Sequence, residues 1–398
     1  MFTWDEIMEK GKNISPDELR EREESLSFDD PINIQYTSGT TGYPKGVVLT
    51  HHNVLNNGYC IGGEGMSFTS NDRLCIPVPF YHCFGMVLSN LVCVSHGAAM
   101  VLPSAAFDAE AVLKAVQDER CTALHGVPTM FIAELKHPNF TKYRYDTLRT
   151  GIMAGSPCPT EYMRAVSEKM NMTDVVIVYG QTETSPGGVT MTTTHDPIER
   201  RVSTVGKAFP HVEIKITDPQ TQHIVPRGMP GEICARGYVV MKCYYNNPSA
   251  TRSTIDADRW NHTGDLGIMD EEGYVRIVGR IKEMVIRGGE NIYPPREIEE
   301  FFHTHPKIED VYIIGVPDEK YGEELMAWIK PHDGFEMTEE EVKAYCNGRI
   351  ARYKTPRYVK FVTEFPPATV TGKIRKGEMR ETSIKELGLE DEARIETA

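Results

Sequence analysis

The sequence predicts an α/β fold with a large domain of layered sheets, a β-rich subdomain, and a small α+β domain at its C-terminal end. Three observations lead there. Strand-like apolar runs alternate with helical stretches from Pro31 to about Tyr274. Around Val212 to Val240 the texture becomes strictly alternating, as in Val212-Glu213-Ile214-Lys215-Ile216 and Gly231-Glu232-Ile233-Cys234-Ala235, with Pro226 and Pro230 between. After the polar stretch Ile281-Lys282-Glu283 a compact block of strands and helices follows. The expected domains are 1–281, with the β-rich part at about 203–281, and 282–398, with the boundary at Lys282.

In chain order, Ser15-Pro16-Asp17-Glu18 reads as a capping box with proline in the first turn, opening a charged surface helix to about Ser25. Ile32 to Tyr36 alternates apolar and polar, and Val47-Val48-Leu49 is apolar and β-rich, so the two form a hairpin around "TSGTTGYPK". Leu74 to Val78, Ala98 to Leu102, Thr122 to Val127 and Asp174 to Val178 read as strands, and Ala109 to Glu119 and Thr160 to Lys169 as helices. Gly273 to Arg280 is one more strand, and Thr338 with Glu341 makes a second capping box. No repeat or low-complexity tract interrupts the pattern.

Composition excludes several function classes. The 43 basic against 57 acidic residues give a formal charge of −14 and no basic stripe, which argues against nucleic acid as a partner. Nine cysteines without a CxxC pair suggest neither a disulfide framework nor a zinc site, and fit reduced thiols in a cytoplasmic setting. The most apolar stretch, Gly85 to Pro103, is broken by Ser89, Asn90, Ser95 and His96, and no transmembrane segment is expected.

The chemistry-bearing segments begin with the hairpin loop. Gly39, Gly42 and Gly46 bring backbone N–H groups close to a ligand, Thr37, Ser38, Thr40 and Thr41 add donors, and Lys45 adds a point charge, a set suited to a polyphosphate. It is not a Walker loop, because Tyr43 and Pro44 precede the lysine and a strand follows it. Val178-Tyr179-Gly180-Gln181-Thr182-Glu183 ends an apolar strand, where ligands bind in open α/β sheets, and offers an exposed aromatic face and a carboxylate for Mg²⁺. Gly155 and Ser156, in Met153-Ala154-Gly155-Ser156-Pro157, would let a ring lie against backbone. His262-Thr263-Gly264-Asp265 supplies an acceptor for ribose hydroxyls, with Arg280 fifteen residues on. Thr371-Gly372-Lys373 ends a basic loop. Taken singly, each of these segments is equally a polar turn or solvated charge.

In this order and spacing the segments resemble the adenylate-forming superfamily of acyl-CoA synthetases, firefly-type luciferases and peptide-synthetase adenylation domains. The resemblance runs from about Pro31 to Lys376. Arg287-Gly288-Gly289-Glu290-Asn291-Ile292-Tyr293-Pro294 and Phe301-Phe302-His303-Thr304-His305-Pro306 look most like medium-chain ligases of the acyl-CoA synthetase family member 2 type. It implies that Thr37, Ser38, Gly39, Thr40, Thr41, Gly42 and Lys45 wrap the β- and γ-phosphates of ATP. Tyr179 would pack on adenine within a site shared with Gly180 and Gln181, Thr182 would touch the α-phosphate, Glu183 would bind Mg²⁺, and Asp265 and Arg280 would hold ribose. Lys282 would be the hinge of a mobile C-terminal domain and Lys373 its adenylation lysine. Arg287, Gly288, Gly289 and Glu290 would line the approach of coenzyme A. His82, in Pro79-Phe80-Tyr81-His82-Cys83-Phe84-Gly85, would gate an acyl pocket shared with Tyr81, Val127 and Met130.

The implied reaction is ATP-dependent activation of a fatty, medium-chain acid to its acyl-adenylate, then thioester formation with coenzyme A, releasing AMP and pyrophosphate. Aryl or amino acids and luciferase-like chemistry are the enzymatic alternatives; amino-acid activation usually places an aspartate beside the gating aromatic, where Cys83 stands here. Relatives also carry a long stretch before the phosphate loop, so the resemblance implies a truncated first sheet with an unpaired strand edge, and a nucleotide-binding remnant without turnover as the other reading.

Overall fold

The computed structural model describes residues 2–37, 44–156, 158, 160–287, 290–292, 295–366, 374–391 and 393. The helix Pro16–Glu24 starts as the sequence requires: Glu18 N–H donates to Ser15 Oγ (3.1 Å) and Ser15 N–H to Glu18 Oε2 (2.8 Å). It buries no residue, and neither does the preceding helix Trp4–Gly11. Strands β1 (Pro31–Thr37) and β2 (Lys45–Thr50) pair antiparallel, with Thr37 opposite Lys45. β2 is buried, whereas β1 turns Ile32, Ile34 and Tyr36 to solvent. Thr50 ends β2 and caps the helix His51–Cys60 through a box with Asn53.

The main sheet is built from β3 (Arg73–Cys75), β4 (Ala99–Val101), β5 (Ala123–Leu124), β6 (Thr150–Met153), β7 (Asp174–Tyr179), β8 (Thr190–Met191) and β9 (Lys207–Ala208), in the order β4-β3-β5-β6-β7-β8-β9. β4 through β7 in that order run parallel, and β8 and β9 run antiparallel. Period-two alternation sends successive residues to opposite faces. Leu74, Ile152, Val176 and Val178 pack on one side with Val54, Val87 and Leu88; Cys75, Met153, Val175 and Ile177 pack on the other with Leu113, Phe131 and Met163. The helices Ala109–Asp118 and Thr160–Lys169 supply the second layer as expected. Three strands are shorter than the sequence predicts. Pro77, Pro79, Pro103 and Pro128 lack the N–H that a ladder needs, so the chain leaves the sheet before them.

β10 (Val212–Thr217), β11 (Pro230–Gly237), β13 (Asn261–Met269) and β14 (Val275–Arg280) form an antiparallel sheet in the order β10-β11-β13-β14 around Ile216, Ile233, Ala235 and Val275. Between them, β12 (Cys243–Tyr244) departs and pairs with β2. A tight turn at Ile281–Glu283 follows β14. The last sheet comprises β15 (Val285–Arg287), β16 (Glu290–Ile292), β17 (Ile308–Asp318), β18 (Gly322–Pro331) and β19 (Tyr358–Phe361), ordered β16-β15-β18-β17 with β19 parallel to β18. Its faces alternate too. Ile313, Leu325 and Ile329 meet Phe302 and Val342, while Ile314, Val316 and Trp328 meet Met379 of the helix Lys376–Leu387. The box at Thr338 and Glu341 opens the helix Glu339–Cys346. No described helix is long and apolar enough to cross a membrane.

Candidate nucleotide-binding site

β7 delivers Tyr179 to the carboxyl edge of the sheet, and Gly180 turns the chain. A Cβ at Gly180 would lie 2.8 Å from Gly187 backbone atoms, so the turn closes only around glycine. β13 and β14 pair with Asp265 opposite Arg280, which explains the spacing seen in the sequence. Arg280 Nε lies 2.9 Å from Asp265 Oδ1, while Tyr179 Oη (2.9 Å) and Gln181 Nε2 (3.0 Å) both donate to Asp265 Oδ2. Gln181 Nε2 also donates to the Thr263 carbonyl at 2.6 Å. Three of the predicted residues thus meet on the carboxylate of a fourth, Asp265, a residue only 4% exposed.

The electrostatics follow from this packing. Burial, then the Asp265 charge, holds the Tyr179 phenol well above its ordinary value, so it is a neutral donor. Burial pulls Arg280 down, but Asp265, with Glu283, Tyr179 and Glu183, outweighs it and the guanidinium pKa rises. A carboxylate offers roughly four lone-pair sites. Three protein donors occupy Asp265, leaving about one on Oδ1 for a ligand hydroxyl. Tyr179 to Glu183 are half-buried, not exposed as the sequence suggests, because Asp265 draws the loop inward.

Glu183 and Lys45 are joined by a residue the sequence did not single out. Tyr244 donates its hydroxyl to Glu183 Oε1 at 2.7 Å, and Lys45 Nζ sits 5.0 Å from the centre of the same ring. β12 carries Tyr244 there by pairing with β2. Asn53 and Asn57, one turn apart on the helix after β2, add a second set of ties. Asn53 Nδ2 donates to the carbonyls of Tyr238 (2.5 Å) and Val240 (3.1 Å). Asn57 Nδ2 donates to those of Ser185 and of Pro186 (2.7 Å). Met241 N–H then donates to the Glu183 carbonyl at 2.9 Å. The hairpin, the 179–188 loop and the 238–241 loop form one bonded frame.

His82 is partly buried, and its Nδ1 accepts the Phe84 N–H at 3.1 Å, which puts the proton on Nε2. Burial lowers its pKa, so the ring is neutral at physiological pH. The neighbouring Cys83 thiol is pushed up to about 12 by burial, with Thr182 lowering and Glu183 raising it, which places this segment against the Thr182-Glu183 turn. Val127 and Met130 are buried, whereas Tyr81 is 72% exposed. Gly155 adopts φ +93°, and a Cβ there would lie 3.1 Å from Val127 Cγ1, so the Gly155-Ser156 turn abuts Val127.

In the last sheet Arg287 forms a fork with Glu324, both bonds at 2.8 Å, over the Tyr321 ring at 4.3 Å. Lys282 lies in the turn after β14. Ser38, Gly39, Thr40, Thr41, Gly42, Gly288, Gly289 and Lys373 lie outside the described residues, as does the side chain of Glu290.

Comparison with known proteins agrees with this geometry. Residues 3–245 match the AMP-binding enzyme family and residues 297–373 the AMP-binding enzyme C-terminal domain. "Putative acyl-CoA synthetase YngI" of Bacillus subtilis is 58% identical over 389 residues, 98% of this chain and 70% of that protein. Medium-chain acyl-CoA ligase ACSF2, mitochondrial, of Danio rerio is 47% identical over 390 residues, 98% of this chain but 64% of that ligase's length. The crystal structure of ATP-bound MatB from Rhodopseudomonas palustris superimposes with a TM-score of 0.83 at 35% identity, over 91% of this chain and 70% of that one. The fold class is that of these enzymes, a large N-terminal and a small C-terminal part. The chain belongs to the AMP-binding enzyme family of adenylate-forming enzymes.

Proposed function

We propose that the chain is an AMP-forming acid–thiol ligase that activates a fatty carboxylic acid with ATP and passes the acyl group to coenzyme A. The observation that carries this is the convergence of Tyr179, Gln181 and Arg280 on Asp265, with Glu183 and Lys45 joined through Tyr244. Medium chain length is the finer reading, supported by likeness to the ACSF2 ligases. A cytoplasmic setting is supported by nine free cysteines.

A carboxylate resists thiol attack, so activation comes first. Its oxygen forms a bond to the α-phosphorus as the bond to pyrophosphate breaks, and the thiol then attacks the acyl carbon as AMP leaves. Tyr179 stacks on adenine beside Gly155 and Ser156, the remaining lone pair of Asp265 takes a ribose hydroxyl, and Arg280 fixes that carboxylate. Thr182 donates to the α-phosphate. Lys45 and the hydroxyl-rich loop neutralise the departing pyrophosphate. Glu183 fits a Mg²⁺ ligand, because the one bond from Tyr244 leaves most of its lone pairs available. Mg²⁺ there would supply charge neutralisation on the phosphates. Neutral His82 lies beside an acyl chain entering past Val127 and Met130 without placing a charge against it. Lys373 serves adenylation, and rotation about Lys282 exchanges it for the Arg287 to Glu290 segment in the thiol step.

The test is pyrophosphate release with straight-chain acids of increasing length, with and without coenzyme A. Acid-dependent release peaking at medium length, with acyl-CoA formed when the thiol is present, is expected. ATP binding without release for any acid would overturn ligase activity and favour a nucleotide-binding chain without turnover.

A further inference from the structure

Next to the nucleotide cluster, on the strand that carries Asp265, β11 and β13 place three different donor types together. Their register sets Cys234 opposite His262, and Glu232, two residues before Cys234, shares its face. His262 Nδ1 lies 2.9 Å from Glu232 Oε2 and 3.5 Å from Cys234 Sγ, and ligand atoms of all three residues fall within 4.8 Å of one another. Cys234 and Glu232 are buried and His262 nearly so. The imidazole's other nitrogen, Nε2, faces Asp256 Oδ2 at 3.5 Å. Glu232 Oε1 accepts the Gly264 N–H at 3.0 Å, and Thr217 Oγ1 stands 3.5 Å from the sulfur.

The bonds to Cys234 and then Glu232 raise the His262 pKa to about 10, so the metal-free ring is an imidazolium that donates from both nitrogens. A cation on Nδ1 would take the place of that nitrogen's proton between the thiol and the carboxylate. The Nε2–H then donates to Asp256, which is the carboxylate-histidine-metal arrangement that orients ligating histidines. We infer that Glu232, Cys234 and His262 form a site for a divalent cation of the zinc class, with Asp256 as the outer partner. Sulfur, imidazole and carboxylate together select a borderline-soft ion over Mg²⁺ or Ca²⁺. Tetrahedral bonds of about 2.0–2.3 Å separate ligands by roughly 3.3–3.8 Å. The sulfur–nitrogen distance already matches, and the nitrogen–oxygen distance opens by a few tenths of an ångström. Binding releases two protons to solvent, one from the Cys234 thiol and one from His262 Nδ1, and water completes the coordination. Because Gly264, bonded to Glu232, precedes Asp265, the ion would fasten the strand that presents the ribose carboxylate.

The experiment titrates the chelator-treated full chain with Co²⁺ and follows thiolate-to-cobalt charge-transfer absorption, then displaces it with Zn²⁺. One equivalent of Co²⁺ producing the band, Zn²⁺ abolishing it, and Cys234→Ala lacking it with an unchanged near-ultraviolet circular dichroism spectrum is the expected result. Asp256→Asn should weaken Co²⁺ binding about 10-fold while keeping the band, and Cys243→Ala should leave both unchanged. If Cys234→Ala fails to fold, Cys234→Ser provides the same readout. No band in the wild-type chain, or a band that survives in the Cys234 variants, means that the triad is a hydrogen-bonded imidazolium and overturns the site.

Discussion

The Tyr179 hydroxyl donates to Asp265 Oδ2 over 2.9 Å, although 86 residues separate the two. This bond locks the aromatic at the end of β7 to the hairpin of β13 and β14, and with Gln181 and Arg280 it makes Asp265 the shared acceptor of the cluster. Asp265→Ala would strand three donors in a half-buried setting, at about 1–3 kcal/mol for each group left unsatisfied. The KM for ATP should rise by about 10–100-fold in pyrophosphate release. The KM for the acid should move little, and equal rises in both would contradict a nucleotide-specific role.

Tyr244→Phe removes one hydroxyl and leaves the ring under Lys45. Losing a hydrogen bond of about 0.5–1.5 kcal/mol should raise the Mg²⁺ concentration for half-maximal adenylation about 3–10-fold. Titrating Mg²⁺ at saturating ATP checks this; an unchanged requirement would separate Tyr244 from metal binding at Glu183.

Lys373→Ala should abolish adenylate formation from ATP and acid, yet leave thioester formation from supplied acyl-adenylate largely intact. Measuring the two half-reactions separately decides it. Equal loss of both would deny Lys373 an adenylation role.

Glu134 is buried, with Oε2 unpaired, and burial holds its carboxyl well above the usual range. In the unfolded chain it ionises near pH 4.5. A group raised on folding contributes its full share of stability below the unfolded pKa and loses it as pH climbs toward the folded one, by about 1.4 kcal/mol per pH unit. Glu134→Gln lacks this slope and should be more stable than the parent at pH 7. Urea unfolding at pH 5 and 7 should show the gap between the two proteins widening with pH.

Much of this was legible in the sequence because its determinants are local. A continuous apolar run gave β7, period-two runs gave β10 and β11, and the boxes at Ser15/Glu18 and Thr338/Glu341 opened their helices. What escaped is long-range. β12 is two residues long and carries no periodicity, so nothing in the sequence placed Tyr244 beside β2. Asn53 and Asn57 act on carbonyls 185 and 128 residues away. The one available hint was their shared helical face directly behind a buried strand. Proline positions could have shortened the strand assignments, since each lacks a ladder donor.

The asparagine pair has a consequence for how the large lobe comes apart. Once either amide lets go, two buried carbonyls lose their partner, so the hairpin, the turn after β7 and the 238–241 segment gain nothing by loosening one at a time. Their amides should exchange with deuterium as a single cooperative unit, at one common opening free energy.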